Sequence, residues 1–204
     1  MISKRPIDFP DHRQIARLRL LLHQIDYSQE GIRQLTGFPD LHGLNREQME
    51  GVRAKLESGG KLGTLTALLY LGLPVDQTRF EKAIAPMTAA EWIDAGMVAL
   101  KDDRVEARIL MMPYGPIVFA ADRPPQPGRE MRQDYVMDVE GGTSILSALA
   151  VRGHVKTTAD LGTGCGLLAL QAADYSDEVI AVDLNQRALD YATFNAALND
   201  RNNI

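Results

Sequence analysis

Between Asp11 and Leu71, apolar residues recur at intervals of three and four, the spacing of one helical face. From Asp11, an N-cap candidate, Ile15, Leu18, Leu21, Leu22 and Ile25 mark a first helix. Ser28–Thr36 reads as a second, stopped by Gly37 with Pro39 just beyond. Asn45 caps a third, running to Leu56 and ending at Ser-Gly-Gly. Lys61–Leu71, with Leu62, Leu65, Leu68, Leu69 and Leu71, reads as a helix buried on most sides. Residues 1–10 read as a loose arm.

After Pro74 the spacing predicts a helix holding Phe80 and Ile84 before Pro86. Thr88-Ala-Ala-Glu91 is a capping box, in which Thr and Glu side chains satisfy backbone N–H groups reciprocally. It opens a short helix through Trp92 that ends at Gly96. The pattern then changes to strands at Met97–Leu100, Val105–Met112 and Ile117–Ala121. Lys101-Asp-Asp-Arg104 and Pro113-Tyr-Gly-Pro116 are their turns. Helices, a short capped helix and then a hairpin is the order of a winged-helix domain. The prolines of Arg123–Arg129 make a stiffened linker. Tyr135–Val139 reads as extended and leads into Gly141-Gly142, with Thr143 or Ser144 capping a helix Ile145–Val151. The expected organisation is a helical, winged-helix-like domain over 1–122, a Pro-rich linker over 123–134, and the start of a Rossmann-like domain over 135–204. The fold class is α/β, with an α+β N-terminal part.

The 204 residues carry a net charge of −5, so no global basic field draws in nucleic acid. Residues 1–122 hold fifteen Lys and Arg against sixteen Asp and Glu, whereas 155–204 holds three against seven. In the winged-helix-like part, Glu91, Asp94, Asp102 and Asp103 are poor material for phosphate contacts, and Arg13, Arg17 and Arg19 form the best basic cluster. That domain is therefore read first as a recruitment or packing unit with a solvated face, and second as a recogniser of nucleic acid or protein. The lone Cys165 excludes an intramolecular disulfide and fits a reducing compartment, and no apolar run reaches membrane-spanning length. With no signal-peptide core at the N-terminus, a cytoplasmic protein is expected. His12, His23, His42 and His154 show no metal-ligand spacing.

The chemistry concentrates in Thr158-Ala-Asp-Leu-Gly-Thr-Gly-Cys-Gly-Leu-Leu-Ala-Leu170 and Val179-Ile-Ala-Val-Asp-Leu184. A strand ends near Asp160, a turn carries Gly162, Gly164 and Gly166, and a helix starts at once. Glycines let the backbone turn sharply and leave room for a ligand at main-chain N–H groups. Dinucleotide binders use Gly-x-Gly-x-x-Gly, but the third position here is Leu167, and the Gly-Lys-Ser/Thr of a P-loop is missing. Asp160, ahead of the turn, suits a ligand bearing an ammonium group, such as the methionine part of S-adenosylmethionine. Asp183 is placed for a ribose diol, with Leu184 beside it as an apolar wall for adenine. Cys165 has no His in its motif and is a poor nucleophile candidate.

Asp160-Leu-Gly-Thr-Gly-Cys-Gly166 and Val182-Asp-Leu-Asn-Gln-Arg-Ala-Leu189, with Ala192-Thr-Phe-Asn-Ala-Ala-Leu-Asn199, resemble the class I S-adenosylmethionine-dependent methyltransferases. The stretch is most similar to their small-methyltransferase group, which includes release-factor glutamine and ribosomal RNA guanine-N2 methyltransferases. Asp134–Ser144 is similar to bacterial members with an N-terminal helical domain of their own. The resemblance implies S-adenosylmethionine as cofactor, contacted by Asp160, Gly162, Gly164 and Asp183, with Thr163 and Cys165 lining the turn. It implies N-methylation of a macromolecular substrate: a release factor, a ribosomal component or RNA. The group's Asn-Pro-Pro-Tyr/Phe motif does not occur in these residues. The expectation is that this chain holds the cofactor half of the site and no catalytic residue, as a truncated copy of the fold would. The competing class is a non-catalytic winged-helix binding module with a degenerate cofactor segment.

Overall fold

The computed structural model describes residues 5–9, 11–125, 128, 130–139 and 141–204. The chain divides into two compact units, Asp8–Val118 and Phe119–Ile204, the latter with the N-terminal residues through Ile7. The expected linker Arg123–Arg129 lies partly outside the described residues, at 126, 127 and 129.

In the first unit, α1 (His12–Gln24), α2 (Gln29–Thr36) and α3 (Arg46–Ser58) start at Asp11, Ser28 and Asn45. Each cap side chain accepts a backbone N–H that the helix itself leaves unpaired. The expected helix Lys61–Leu71 is two pieces, α4 (Gly60–Leu65) and a π-helical turn, Thr66–Tyr70. The change of winding shows in the Leu71 N–H, which donates to Thr66 O five residues back. Residues 63–70 are all buried. A short strand not anticipated, β1 (Val75–Asp76), leads into α5 (Gln77–Ile84). The capping box of Thr88 and Glu91 then opens α6 (Ala89–Asp94). Phe80 and Trp92 pack edge to face at 5.4 Å and are both fully buried.

The expected strand Val105–Met112 is broken at Arg108. β3 (Arg104–Ala107) lies between β1 and β2 (Val98–Lys101) in an antiparallel sheet, and β4 (Ile109–Tyr114) lies outside that sheet. The break follows from partner choice: the Arg108 N–H donates to Met97 O, just ahead of β2. Asp102 and Asp103, both at positive φ (46° and 60°), form the two-residue loop between Lys101 and its partner Arg104. The division between the units falls inside β5 (Ile117–Asp122).

In the second unit, α7 (Gly141–Leu149) begins earlier than expected. The glycine pair is its first helical turn, so Thr143 and Ser144 lie within the helix and do not cap it. β6 (Val155–Leu161) and β7 (Ser176–Val182) pair in parallel, Val155 opposite Ser176 and Leu161 opposite Val182. The crossover between them carries α8 (Leu167–Ala172), and α9 (Gln186–Leu198) follows. Ala169, Ala172 and Val179 form a small core with Tyr175, Ala181 and Ile204 against it. The Val179 N–H donates to Asn203 O at 2.7 Å, so the chain returns alongside β7. Leu161, Ile180 and Val182 remain exposed. No helix among the described residues is long and apolar enough to cross a membrane.

Candidate functional site

The glycine turn is pinned to the end of β7. N–H groups of Gly162 and Thr163 both donate to Val182 O, at 2.7 and 3.0 Å, and the Gly164 N–H donates to Asp183 Oδ2 at 2.9 Å. Gly162, Gly164 and Gly166 have φ of 76°, 55° and 86°, the left-handed region that disfavours any side chain. Their surroundings differ. A Cβ on Gly162 or Gly164 would meet nothing within 4 Å, whereas one on Gly166 would lie 2.9 Å from Ala192 Cβ. The first two glycines therefore keep space open, and the third lets α8 approach α9.

That space is part of a cavity of about 400 Å³. Asp160, Gly162, Thr163, Gly164, Cys165 and Asp183 line it; Gly166 and Leu184 do not. Gly166 is buried against Ala192, and Leu184 is fully exposed. Thr163 Oγ1 donates to Asp160 Oδ2 at 2.7 Å, which fixes that carboxylate and leaves its other oxygen unengaged among the described residues. Asp183 is fixed likewise: its Oδ1 accepts the Asn185 N–H and its Oδ2 the Gly164 N–H, both at 2.9 Å. Burial pushes the Cys165 thiol up to about 11, so it stays protonated and inert as a nucleophile at neutral pH.

Sequence reasoning missed the opposite wall, which is the extended run Tyr135–Asp138, with Thr143 and Leu146 from α7. Asp122 holds this run in place. The Asp122 N–H donates to Val136 O at 3.1 Å, and Val136 returns its N–H to Asp122 Oδ2 at 3.0 Å. Arg187 grips both oxygens of the same carboxylate, and Tyr191 OH donates to Oδ1 at 2.8 Å. Hydrogen bonding to Asp122 raises the Arg187 pKa, and burial raises that of Tyr191. Asn185 caps α9 and donates its Nδ2 to Asp134 O at 3.0 Å, a second fastening for the wall. The signal was in the sequence: Arg187, Tyr191 and Asn195 recur every four residues, so they fall on one face of α9 as a polar stripe.

Three carboxylates, Asp138, Asp160 and Asp183, line the cavity, and no Lys, Arg or His does among the described residues. Such a lining favours a ligand with cationic and hydroxyl groups and disfavours a pyrophosphate. No group of His, Cys, Asp and Glu fit to hold a metal occurs among the described residues.

Residues 136–203 match the family model of the methyltransferase small domain, which covers the whole turn and both strands. Residues 24–108 match a domain family of unknown function, DUF7059. No curated protein matches the chain. The first match supports a small class I methyltransferase and methyltransferase activity in general.

Proposed function

We propose that the 136–203 segment binds S-adenosylmethionine and that the protein methylates a nitrogen of a macromolecular substrate selected through residues 1–122. The observation that carries the cofactor is the cavity lining: three aspartates, no basic side chain among the described residues, and two glycines whose missing Cβ atoms keep its floor open. A cradle of this kind fits a ligand bearing an ammonium, a sulfonium and a ribose. Asp160 would take the ammonium through its unengaged oxygen, and Asp183 the ribose hydroxyls through the lone pairs that Gly164 and Asn185 leave free. When bound, the cofactor supplies a methyl group already activated by its sulfonium. The chain's own contribution is to bind and orient. Its carboxylates are fixed in advance by hydrogen bonds, so little ordering remains to be done on binding.

The substrate side rests on the first unit. Its element order, β1, α5, α6, then the β2–β3 hairpin, with β3 central in the sheet, supports a winged-helix-like reading. A release factor, a ribosomal component and RNA are the substrate classes proposed. Calorimetric titration of the protein with S-adenosylmethionine and with NAD tests the cofactor. Binding of the first alone is expected, weakened at least about tenfold by Asp183→Asn, the loss of a charge-assisted contact. Tight NAD binding would overturn it.

A further inference from the structure

A second cavity, of about 530 Å³, lies wholly within the Asp8–Val118 unit, and nothing in the cofactor reading uses it. Three arginines reach it from three elements: Arg53 on α3, Arg79 on α5 and Arg104 on β3. Their hydrogen bonds go to neutral groups. Arg79 Nε donates to Thr64 Oγ1 at 2.9 Å and its Nη2 to Leu56 O, while Arg104 donates to Pro74 O. Thr64 Oγ1 donates its own hydrogen bond to Gly60 O at 2.7 Å, so it faces Arg79 as an acceptor and holds that guanidinium in one orientation. Arg53 has no hydrogen-bond or ion-pair partner among the described residues. Two carboxylates, Glu57 and Asp76, also line the cavity, yet neither pairs with any of the three guanidinium groups. Asp76 is engaged as the cap of α5, accepting the Arg79 N–H. The floor is apolar, formed by Leu56, Ala67, Leu73 and Val75.

We propose that this cavity is a binding site for a small phosphate monoester carrying a planar apolar group, that is, a mononucleotide. Arg79 and Arg104 are oriented by neutral oxygens and not neutralised, which preorganises them for an anion, and the unengaged planar fork of Arg53 matches phosphate geometry. The volume lies within the range of small-molecule pockets, and the apolar floor offers a nucleobase a surface to cover. A long polyanion fits less well. The lining sums to +1, three arginines less two carboxylates, and the whole chain carries −5.

The test is calorimetric titration of the protein with 5′-AMP and 5′-GMP, with their nucleosides and inorganic phosphate as controls. Binding of a mononucleotide is expected, with nucleoside and phosphate each much weaker. Arg53→Gln should weaken it at least about tenfold, the loss of a charge-assisted contact, with little change in melting temperature because Arg53 has no hydrogen-bond or ion-pair partner among the described residues. Saturating S-adenosylmethionine should leave it unchanged, and binding should persist in Asp183→Asn, which separates this site from the glycine turn. Four outcomes would each overturn the proposal: no mononucleotide binding at millimolar concentration; equal binding of phosphate or nucleoside; displacement by S-adenosylmethionine; or affinity that climbs with oligonucleotide length.

Discussion

Asn195 and Ala120 exchange two hydrogen bonds. The Ala120 N–H donates to Asn195 Oδ1 and Asn195 Nδ2 donates to Ala120 O, both at 2.8 Å. A fully buried carboxamide on α9 thus takes the place of a neighbouring strand for the end of β5. Its Nδ2 also donates to Cys165 O at 2.7 Å, so one side chain secures both β5 and the glycine turn.

Asn195→Leu should therefore be severe. It leaves three buried backbone groups unpaired, each worth about 1–3 kcal/mol, though relaxation lowers the sum. Urea denaturation should show a loss of about 3 kcal/mol or more. Asn195→Asp keeps the acceptor for Ala120 but faces a carboxylate against two carbonyls, so it should be no better than leucine.

The Asp122–Arg187 pair predicts a second sensitivity. Both side chains are nearly buried, 7% and 10% exposed, and Asp122 also receives Tyr191 and Val136. Removing one partner strands the other charge, at about 3–5 kcal/mol. Arg187→Met is expected to destabilise by that order in chemical denaturation. It should also weaken S-adenosylmethionine binding, because Val136 lines the cofactor cavity. An unchanged affinity in the folded variant would remove Asp122 from any role in shaping the site.

The glycine turn was legible because every signal in it is local: an apolar run, three glycines, an apolar helix and an acid 23 residues on from Asp160. The capped helices were legible for the same reason. The break at Arg108 was not, since Val105–Met112 is a continuous strand-like pattern and only pairing with distant residues splits it. Asp122 stood only at the bound of the expected 1–122 domain, and nothing local marks it, because its partner Arg187 stands 65 residues away. The stripe of Arg187, Tyr191 and Asn195 announced that α9 faces something polar, but not what.

Cys165 should be slow to react. Burial holds its thiol at about 11 against an ordinary 9.0, which leaves a thiolate fraction about a hundredfold lower than in a free thiol. Iodoacetamide at pH 8 should label the native protein at least about a hundredfold more slowly than the urea-unfolded protein. Rapid native labelling would show that the turn opens.

The capping box of α6 gives a pH dependence. The Thr88 N–H, donating to Glu91, heads the causes that hold this carboxyl below its ordinary 4.5, with Thr88 Oγ1, Gln14 and Arg17 adding to it. A lowered folded-state pKa means stabilisation present above pH 4.5 and lost as pH falls through the folded value. The melting temperature of the native sequence should thus fall between pH 5 and pH 3 more steeply than that of Glu91→Gln. Parallel curves would mean the carboxylate contributes nothing to the helix.

The three glycines of the turn should separate under the same substitution. Gly166→Ala places a Cβ 2.9 Å from Ala192 Cβ and 3.0 Å from its Cα, in left-handed backbone. The backbone costs about 1–2 kcal/mol and the overpacking about 1–3 kcal/mol, so the variant should be clearly destabilised in urea. Gly164→Ala meets nothing within 4 Å and incurs only the backbone term of about 1–2 kcal/mol. Its methyl group would instead occupy space in the cofactor cavity. Gly164→Ala should therefore fold and lose S-adenosylmethionine affinity by more than its stability loss explains, while Gly166→Ala loses stability first. If Gly164→Ala bound the cofactor as tightly as the native sequence, the open floor of the cavity would not be where the ligand sits.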